Sequence, residues 1–260
     1  MQKRHHERTL YFSELSRTSE KFFIPYIARQ ISIKPKMEIL EVGCGEGGNL
    51  FPFAQIGCRV CGIDISKNRI SQAKSIYRQR NIPAEFVCSD MFKYDFHGRK
   101  FDVIICHDVI EHIENKQALI ALLYQLLTIN GVIFCAFPLW QMPFGGHQQI
   151  CRSRMLSHLP FIHLLPASVY RRMLMLFGEG NECVAELLAI KETGLSVEDF
   201  RTLIKSSNLK ISMETFWLIN PHYQQKFGIT PINKIGGMNK LRLIRNFFTT
   251  SYWCILTHKN

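Results

Sequence analysis

Short apolar runs alternate with longer amphipathic segments over the first half of the chain. The short runs, bounded by polar or glycine-containing turns, predict buried strands, and the amphipathic segments predict helices. The predicted strands cover residues 37–42, 59–63, 85–88, 101–106 and 131–137. The predicted helices cover residues 50–55, 67–80 and 116–127. Because the two kinds of element alternate, we predict an α/β fold with a parallel, doubly wound sheet and right-handed crossovers.

Two further regions flank this repeating part. Residues 13–31 predict an entry helix with an aromatic face, and Pro25 is expected to break or kink it. Residues 140–208 contain several prolines and glycines between apolar helical stretches, and they interrupt the alternation. Strands are predicted again at residues 209–218 and 251–257. We therefore predict one domain over all 260 residues, with residues 140–208 as a helical cap inserted after the fifth strand.

The first predicted strand runs directly into a glycine cluster. From Leu40 onward the segment reads Leu-Glu-Val-Gly-Cys-Gly-Glu-Gly-Gly. Glycines allow a sharp turn and a close approach of ligand to backbone, and the helix that follows presents unpaired N–H groups at its N-terminus. Asp64 ends the next apolar run, at a separation typical of an acid that binds ribose hydroxyls. These features predict a site for a cofactor derived from adenosine.

Two cofactors compete for this loop. Gly43, Gly45 and Gly48 satisfy the G-x-G-x-x-G pattern of NAD-binding proteins. Glu41 precedes the first glycine by two residues, where a carboxylate would repel a pyrophosphate and stabilise a cationic ligand. With Gly47, the loop resembles the [DE]-x-G-x-G-x-G motif of the class I S-adenosylmethionine (SAM) methyltransferases. SAM is therefore preferred, and NAD-dependent oxidoreduction is the distant alternative.

The end of the fourth predicted strand carries a second segment that resembles this family. Residues 106–113 read Cys-His-Asp-Val-Ile-Glu-His-Ile, which is similar to a signature of the methyltransferases of ubiquinone and menaquinone biosynthesis. The resemblance implies a SAM-dependent enzyme that releases S-adenosylhomocysteine (SAH). It also implies a Rossmann-like, seven-stranded sheet whose last strand is antiparallel. The cofactor-binding residues that it implies are Glu41, Gly43, Cys44, Gly45, Gly47, Asp64, Ile65, Ser89, Asp90, Met91 and His107.

Within this set the resemblance implies separate contacts. Asp90 would accept a hydrogen bond from the adenine amino group, and Ile65 would pack against the adenine ring. The backbone at His107 would contact the methionine part of SAM. The alternative for Asp90 is a turn or helix cap, a common place for aspartate in any protein.

Histidines are the candidates for catalysis. His147 and His107 are candidate bases, because a neutral imidazole can take up a proton near neutral pH. Some relatives hold a divalent ion with E-x-x-E-H and a distal histidine, and Asp108, Glu111, His112 and His147 would be the corresponding set here. A structural or acid–base role is preferred for these four residues, so no metal is assigned.

The acceptor is predicted only by class. The cap is rich in aromatic and other apolar residues, which favours a small, hydrophobic or aromatic acceptor methylated on oxygen, nitrogen or carbon. The net charge of +11 favours the alternative of RNA or another macromolecule, with basic residues such as Lys3, Arg4, Lys234 and Lys240 near both ends. A SAM-binding regulatory protein without activity is the third alternative.

Composition also predicts a location. No apolar run is long enough to span a membrane, and no secretory signal is recognisable, although peripheral membrane contact stays open. Nine cysteines are scattered without paired spacing, which is typical of a reducing compartment. We expect a cytoplasmic protein, and the sequence predicts no oligomeric state.

Overall fold

The computed structural model describes residues 8–233 and 241–259, so Lys3, Arg4, Lys234 and Lys240 lie outside the described residues. Its centre is a seven-stranded sheet in the order β3-β2-β1-β4-β5-β7-β6. The strands are β1 (Glu38–Val42), β2 (Arg59–Asp64), β3 (Glu85–Cys88), β4 (Phe101–His107), β5 (Leu127–Phe137), β6 (Leu209–Trp217) and β7 (Ser251–His258).

The pairing of the strands confirms the predicted doubly wound sheet. β1 pairs in parallel with β2 and β4, and the parallel part extends to β3 and β5 at its two sides. β7 is antiparallel to both β5 and β6, as predicted for the last strand. β5 begins at Leu127 and not at the predicted Gly131. Its polar first residues lie where the pairing with β4 shifts register, between Phe101 and Val103 of β4.

Helices cover both faces of the sheet and fill the segment before β6. They are α1 (Arg8–Thr18), α2 (Ile24–Ile27), α3 (Phe51–Ile56), α4 (Lys67–Gln79), α5 (Lys116–Leu126), α6 (Arg154–His158), α7 (Ala167–Leu176), α8 (Asn181–Thr193), α9 (Val197–Lys205), α10 (His222–Phe227) and α11 (Ile244–Phe248). None of the described helices combines the length and the apolar character needed to cross a bilayer.

Pro25 does not break the entry helix, so this part of the expectation is wrong, and a kink stays a prediction. A π-helical turn, Ser19–Phe23, joins α1 to α2, and Pro25 lies in the first turn of α2. Because Phe23 and Ile24 keep right-handed helical angles, the chain stays helical through this junction. The aromatic face of this segment packs on the sheet, where the ring of Phe23 lies 4.8 Å from Phe134 and 5.1 Å from Trp253.

The segment between β5 and β6 divides into two parts. α9 packs into the main core on the sheet through Val197, Phe200 and Ile204. α6, α7 and α8 enclose a small separate core, which we call the cap core. Its buried members are Cys151, Leu156, Ile162, Tyr170, Leu174, Val184 and Leu187.

Candidate cofactor and active site

The glycine loop follows β1 and leads to α3. Gly43, Gly45 and Gly47 have φ angles of +66°, +53° and +76°, a region that glycine enters without strain. A Cβ at Gly43 would overlap the side chain of Val109, and one at Gly47 would lie 2.7 Å from the ring of Phe86. A Cβ at Gly45, which is itself buried, would lie 3.9 Å from the Arg69 side chain, an ordinary contact distance. A side chain would therefore clash at two of these glycines and fit sterically at the third.

Asp64 holds the glycine loop in place. Its Oδ2 accepts a hydrogen bond from the Gly45 N–H at 2.9 Å, and its Oδ1 accepts one from the Ser66 N–H at 2.8 Å. The Cys44 N–H donates to the carbonyl of Ile63 at 3.1 Å and ties the loop to β2. The sequence pattern predicted a ribose ligand at Asp64 but missed this role in the loop. Because each carboxylate oxygen has a second lone pair, Asp64 retains the capacity to accept from a ribose hydroxyl.

Glu41 and Asn49 form a buried polar pair beneath the loop. Glu41 is 1% exposed, and its Oε1 accepts a hydrogen bond from Asn49 Nδ2 at 2.7 Å. Its Oε2 is buried without a hydrogen-bond partner among the described residues. Burial raises the pKa of Glu41 to about 8. A buried carboxyl with an open acceptor position is suited to a cationic donor. The sequence analysis missed Asn49, whose only signal was a polar residue at the apolar start of α3.

The side chain of His107, at the end of β4, lies next to the Glu41–Asn49 pair. Its Nδ1 lies 3.4 Å from Asn49 Nδ2, and its Nε2 lies 3.5 Å from an Asp108 carboxylate oxygen. The side chain is only 7% exposed, and its ring lies 5.0 Å from that of Phe23 in the π-helical turn. His107 is therefore held between β4 and the entry segment.

The predicted adenine-binding residues lie at the ends of β2 and β3. Ile65 follows β2 and is 78% exposed, which leaves an apolar side chain available to a flat ring. Asp90 accepts a hydrogen bond from the Phe92 N–H at 3.0 Å through Oδ1. It therefore has the turn-forming role that the sequence offered as the alternative to binding adenine. Ser89 and Met91 flank it in the same turn. The adenine contacts stay predictions, and Oδ2 of Asp90 lies 3.6 Å from the Lys93 ammonium.

Glu111, His112 and His147 come together from two separate segments. One ligand atom of each side chain lies within 4.8 Å of the others, and the two imidazole rings are 5.0 Å apart. Glu111 and His112 belong to a 3₁₀ turn after β4, whereas His147 precedes a 3₁₀ turn after β5. Asp108 is outside this group, and its side chain is 47% exposed. The structure thus unites three of the four residues considered as metal ligands.

The two histidines of this cluster are in the protonation state that binds a cation. Glu111 is 4% exposed, and neither carboxylate oxygen has a hydrogen-bond partner among the described residues. Burial raises the pKa of Glu111 well above its ordinary value. Burial, with the nearby His112, lowers the pKa of His147 to about 4, and burial also lowers the pKa of His112. Both imidazoles are therefore neutral at physiological pH, the form that binds metal ions.

Helix α8 of the cap lies against the cluster of Glu111, His112 and His147. A cavity of about 220 Å³ lies between His112 and one face of α8, which presents Ala189, Ile190 and Thr193. Glu114, Glu186 and Glu192 also line this cavity, and none of the aromatic or methionine side chains of the cap is among its lining residues. Tyr170 is buried in the cap core.

A family model and curated relatives match the part of the chain that carries these residues. Residues 39–131 match the methyltransferase domain family. The chain is 32% identical over 111 residues to a ubiquinone biosynthesis O-methyltransferase of Coxiella burnetii, which covers 43% of this chain and 47% of the relative. It is 36% identical over 114 residues to the enzyme of the same name from Rickettsia typhi, covering 42% and 46%. The match thus spans about half the length of these relatives.

Solved structures match over nearly the whole chain. A plantazolicin methyltransferase in complex with a pentazolic desmethylPZN analogue and SAH has a TM-score of 0.59 at 17% identity, covering 99% of this chain and 89% of its own. A magnesium protoporphyrin IX methyltransferase from Synechocystis PCC 6803 with bound SAH has a TM-score of 0.56 at 16% identity, covering 95% and 84%. At this identity the likeness shows the fold alone. The chain therefore has the Rossmann-like methyltransferase fold, and its residues 39–131 match a methyltransferase domain.

Proposed function

We propose that this protein is an enzyme that transfers the methyl group of SAM to a small acceptor molecule and releases SAH. The observation that carries the proposal is the buried carboxyl of Glu41, which has one oxygen without a partner and lies beneath a glycine loop. SAM carries an ammonium group and a sulfonium, and a desolvated acceptor oxygen stabilises such cationic groups. A pyrophosphate offers no donor to this oxygen, so the arrangement disfavours NAD.

The residues around the loop fit the remaining parts of SAM. Asp64, which accepts from the Gly45 N–H, would also accept from the ribose hydroxyls. The exposed side chain of Ile65 would cover the adenine ring, with Asp90 at its amino group. SAM supplies an activated methyl group when bound. The protein has to orient the acceptor in line with that methyl group and take up a proton where the acceptor has one.

We further propose that Glu111, His112 and His147 hold a divalent cation beside the acceptor. The support is the pair of unpartnered, buried oxygens on Glu111, which a positive charge would satisfy. A pKa of about 4 makes His147 a weak base, whereas its neutral nitrogen is a good metal ligand. A cation in this position would bind acceptor oxygens and lower their pKa. This role for His147 is favoured over that of a general base, and His107 would position Asn49.

A small acceptor is favoured over RNA because Glu114, Glu186 and Glu192 line the cavity beside His112, where carboxylates would repel a polyanion. Arg171 and Arg172 line an outer groove of about 900 Å³ between α7 and α8, and Glu192 borders both spaces. The curated relatives are named for ubiquinone biosynthesis, which agrees with a hydrophobic acceptor.

Calorimetric titration with SAM, SAH and NAD tests the cofactor. We expect SAM and SAH to bind with one site per chain, and binding of NAD alone would overturn the proposal. Incubation with methyl-labelled SAM and a metabolite extract tests the acceptor. Label recovered in a small, organic-soluble product would support the proposal, and label recovered only in RNA or protein would contradict it.

A further inference from the structure

A second cluster of metal-ligating side chains lies in the cap core. Cys151, Glu179 and Cys183 each place one ligand atom within 4.8 Å of the others. Cys151 is 1% exposed and Glu179 is 6% exposed, whereas Cys183 is half-buried. The three residues come from the segment before α6, the turn between α7 and α8, and the first turn of α8. None of them belongs to the proposed SAM site or to the Glu111 cluster.

The hydroxyl of Tyr170 is an independent sign that a polar group is bound here. Tyr170 is fully buried, and its Oη has no hydrogen-bond partner among the described residues. Tyr170 and Cys151 belong to the same buried cap core. A buried hydroxyl without a partner is costly. The Tyr170 hydroxyl is therefore a buried hydrogen-bond donor without an acceptor among the described residues.

Two backbone hydrogen bonds hold the Glu179 carboxylate in a fixed orientation. Its Oε2 accepts a hydrogen bond from the Arg152 N–H at 3.0 Å, and its Oε1 accepts one from the Ser153 N–H at 2.8 Å. These bonds fix the carboxylate beside Cys151, and each oxygen keeps a lone pair directed elsewhere. A ligand that is already oriented loses little entropy when it binds a cation.

We propose that Cys151, Cys183 and Glu179 bind a zinc ion that holds the cap core together, with the Tyr170 hydroxyl at the remaining coordination position or hydrogen-bonded to a water there. Two thiolates select a soft cation such as zinc over magnesium or calcium. On binding, each thiol releases its proton to solvent, and no electrons are transferred.

The physical benefit is a cross-link in a region with little apolar core. The cap core contains only the seven buried residues given above among those described, and two of them, Cys151 and Tyr170, belong to this site. A small core of this kind is commonly stabilised by a metal or a disulfide. The ion would join three chain segments around α6, α7 and α8 without depending on methyl transfer.

Cobalt titration of the full-length protein tests the proposal. After reduction and chelation, we expect one equivalent of Co²⁺ to produce sulfur-to-cobalt charge-transfer absorption, and one equivalent of Zn²⁺ to abolish it. Two thiols should become protected from modification at the same time. The Glu111 cluster contains no sulfur, so a cation there does not contribute to this absorption.

Variants assign the signal to the site. Cys183→Ser should abolish the charge-transfer absorption, whereas Cys88→Ser, at an exposed cysteine outside the cluster, should retain it. Tyr170→Phe should retain the absorption and weaken cobalt affinity about tenfold, as loss of an outer contact does at other sites. Zinc should raise the thermal unfolding midpoint of the wild type, of Cys88→Ser and, to a smaller extent, of Tyr170→Phe, but not that of Cys183→Ser. The proposal is overturned if the wild type lacks the absorption, if Cys183→Ser keeps it, or if the two thiols are joined in a disulfide and bind no metal after reduction.

Discussion

Glu41 accepts a hydrogen bond from the side-chain amide of Asn49 at 2.7 Å through one carboxylate oxygen, while its other oxygen lies buried without a partner among the described residues. The pair comes from β1 and from the turn before α3, so the glycine loop between them has a carboxyl group directly beneath it. This relationship gives the first two predictions.

Replacement of Glu41 by Gln should weaken SAM and SAH binding by about tenfold to a hundredfold. Glutamine preserves the shape and can still bond to Asn49, but it cannot ionise when a cationic donor binds, and hydrogen bonds to charged groups contribute about 1.5–3 kcal/mol. Calorimetry on the folded variant measures the change. Asp95→Asn, at an exposed aspartate that caps the His97 N–H, is the matched control and should bind SAM like the wild type. Equal affinities for Glu41→Gln and the wild type would refute a role for the charge.

The unfolding free energy of the free protein should depend on pH through Glu41. Its pKa is about 8 in the folded state, against 4.5 for an ordinary glutamate, so the folded chain binds one more proton than the unfolded chain between these values. Stability from this group is therefore full below pH 4.5 and is lost as pH rises to about 8. Relative to Glu41→Gln, the wild type should lose about 1.4 kcal/mol per pH unit in this window. Denaturation in urea at several pH values measures the difference, and parallel profiles would contradict it.

Replacement of Gly47 by Ala should lower stability and abolish tight SAM binding. Gly47 has φ of +76°, and a Cβ there would lie 2.7 Å from the Phe86 ring, so the loop has to move. Gly98→Ala is the matched control, because Gly98 has φ of +73° and a Cβ there would meet nothing within 4 Å. The control should lose only the backbone strain of about 1–2 kcal/mol and should keep SAM affinity. Thermal unfolding and SAM titration separate the two effects, and similar results for both variants would argue against a packed loop.

Replacement of His147 by Ala should remove binding of a hard divalent cation at the Glu111 cluster. Mn²⁺ serves as the probe, since its binding can be followed by electron paramagnetic resonance without a known acceptor. His97→Ala, at a histidine with a 78% exposed side chain, should leave Mn²⁺ binding unchanged. If Mn²⁺ binds equally well to His147→Ala, the residue is not a ligand. A Glu111→Gln variant should also lose Mn²⁺, because the neutral amide does not supply the negative charge.

Replacement of Gly146 by Ala should disturb the loop that carries His147. A Cβ at Gly146 would overlap the side chain of His163, which is fully buried and lies 2.7 Å from the Trp140 carbonyl through Nε2. We expect Mn²⁺ affinity and methyl transfer to fall, while SAM binding stays within a factor of about three, because the glycine loop is remote in the chain. Gly180→Ala, where a Cβ would meet nothing within 4 Å, is the control and should change neither. A large loss of SAM affinity in Gly146→Ala would show that the two sites are more closely coupled than proposed.

Much of the architecture follows from local sequence pattern. Apolar runs separated by amphipathic segments predicted all seven strands to within a few residues, since burial on a sheet requires continuous apolar side chains. The start of α9 follows a local capping pattern, in which the Ser196 hydroxyl accepts from the Asp199 N–H at 3.1 Å. Two irregular features were not predicted. The π-helical turn before Pro25 and the bulge at the start of β5 both depend on packing against other elements.

The sequence by itself determined the order of strands and helices, the glycine loop and the likeness of residues 39–131 to a methyltransferase domain, because each depends on residues close together in the chain. Only the tertiary structure decided that Asp64 holds the loop, that Asn49 is the partner of Glu41, and that Glu111 and His112 meet His147. It also decided which face of α8 covers His112. These relationships join distant segments, and their distances are set by how the sheet and the cap pack, which no local pattern records.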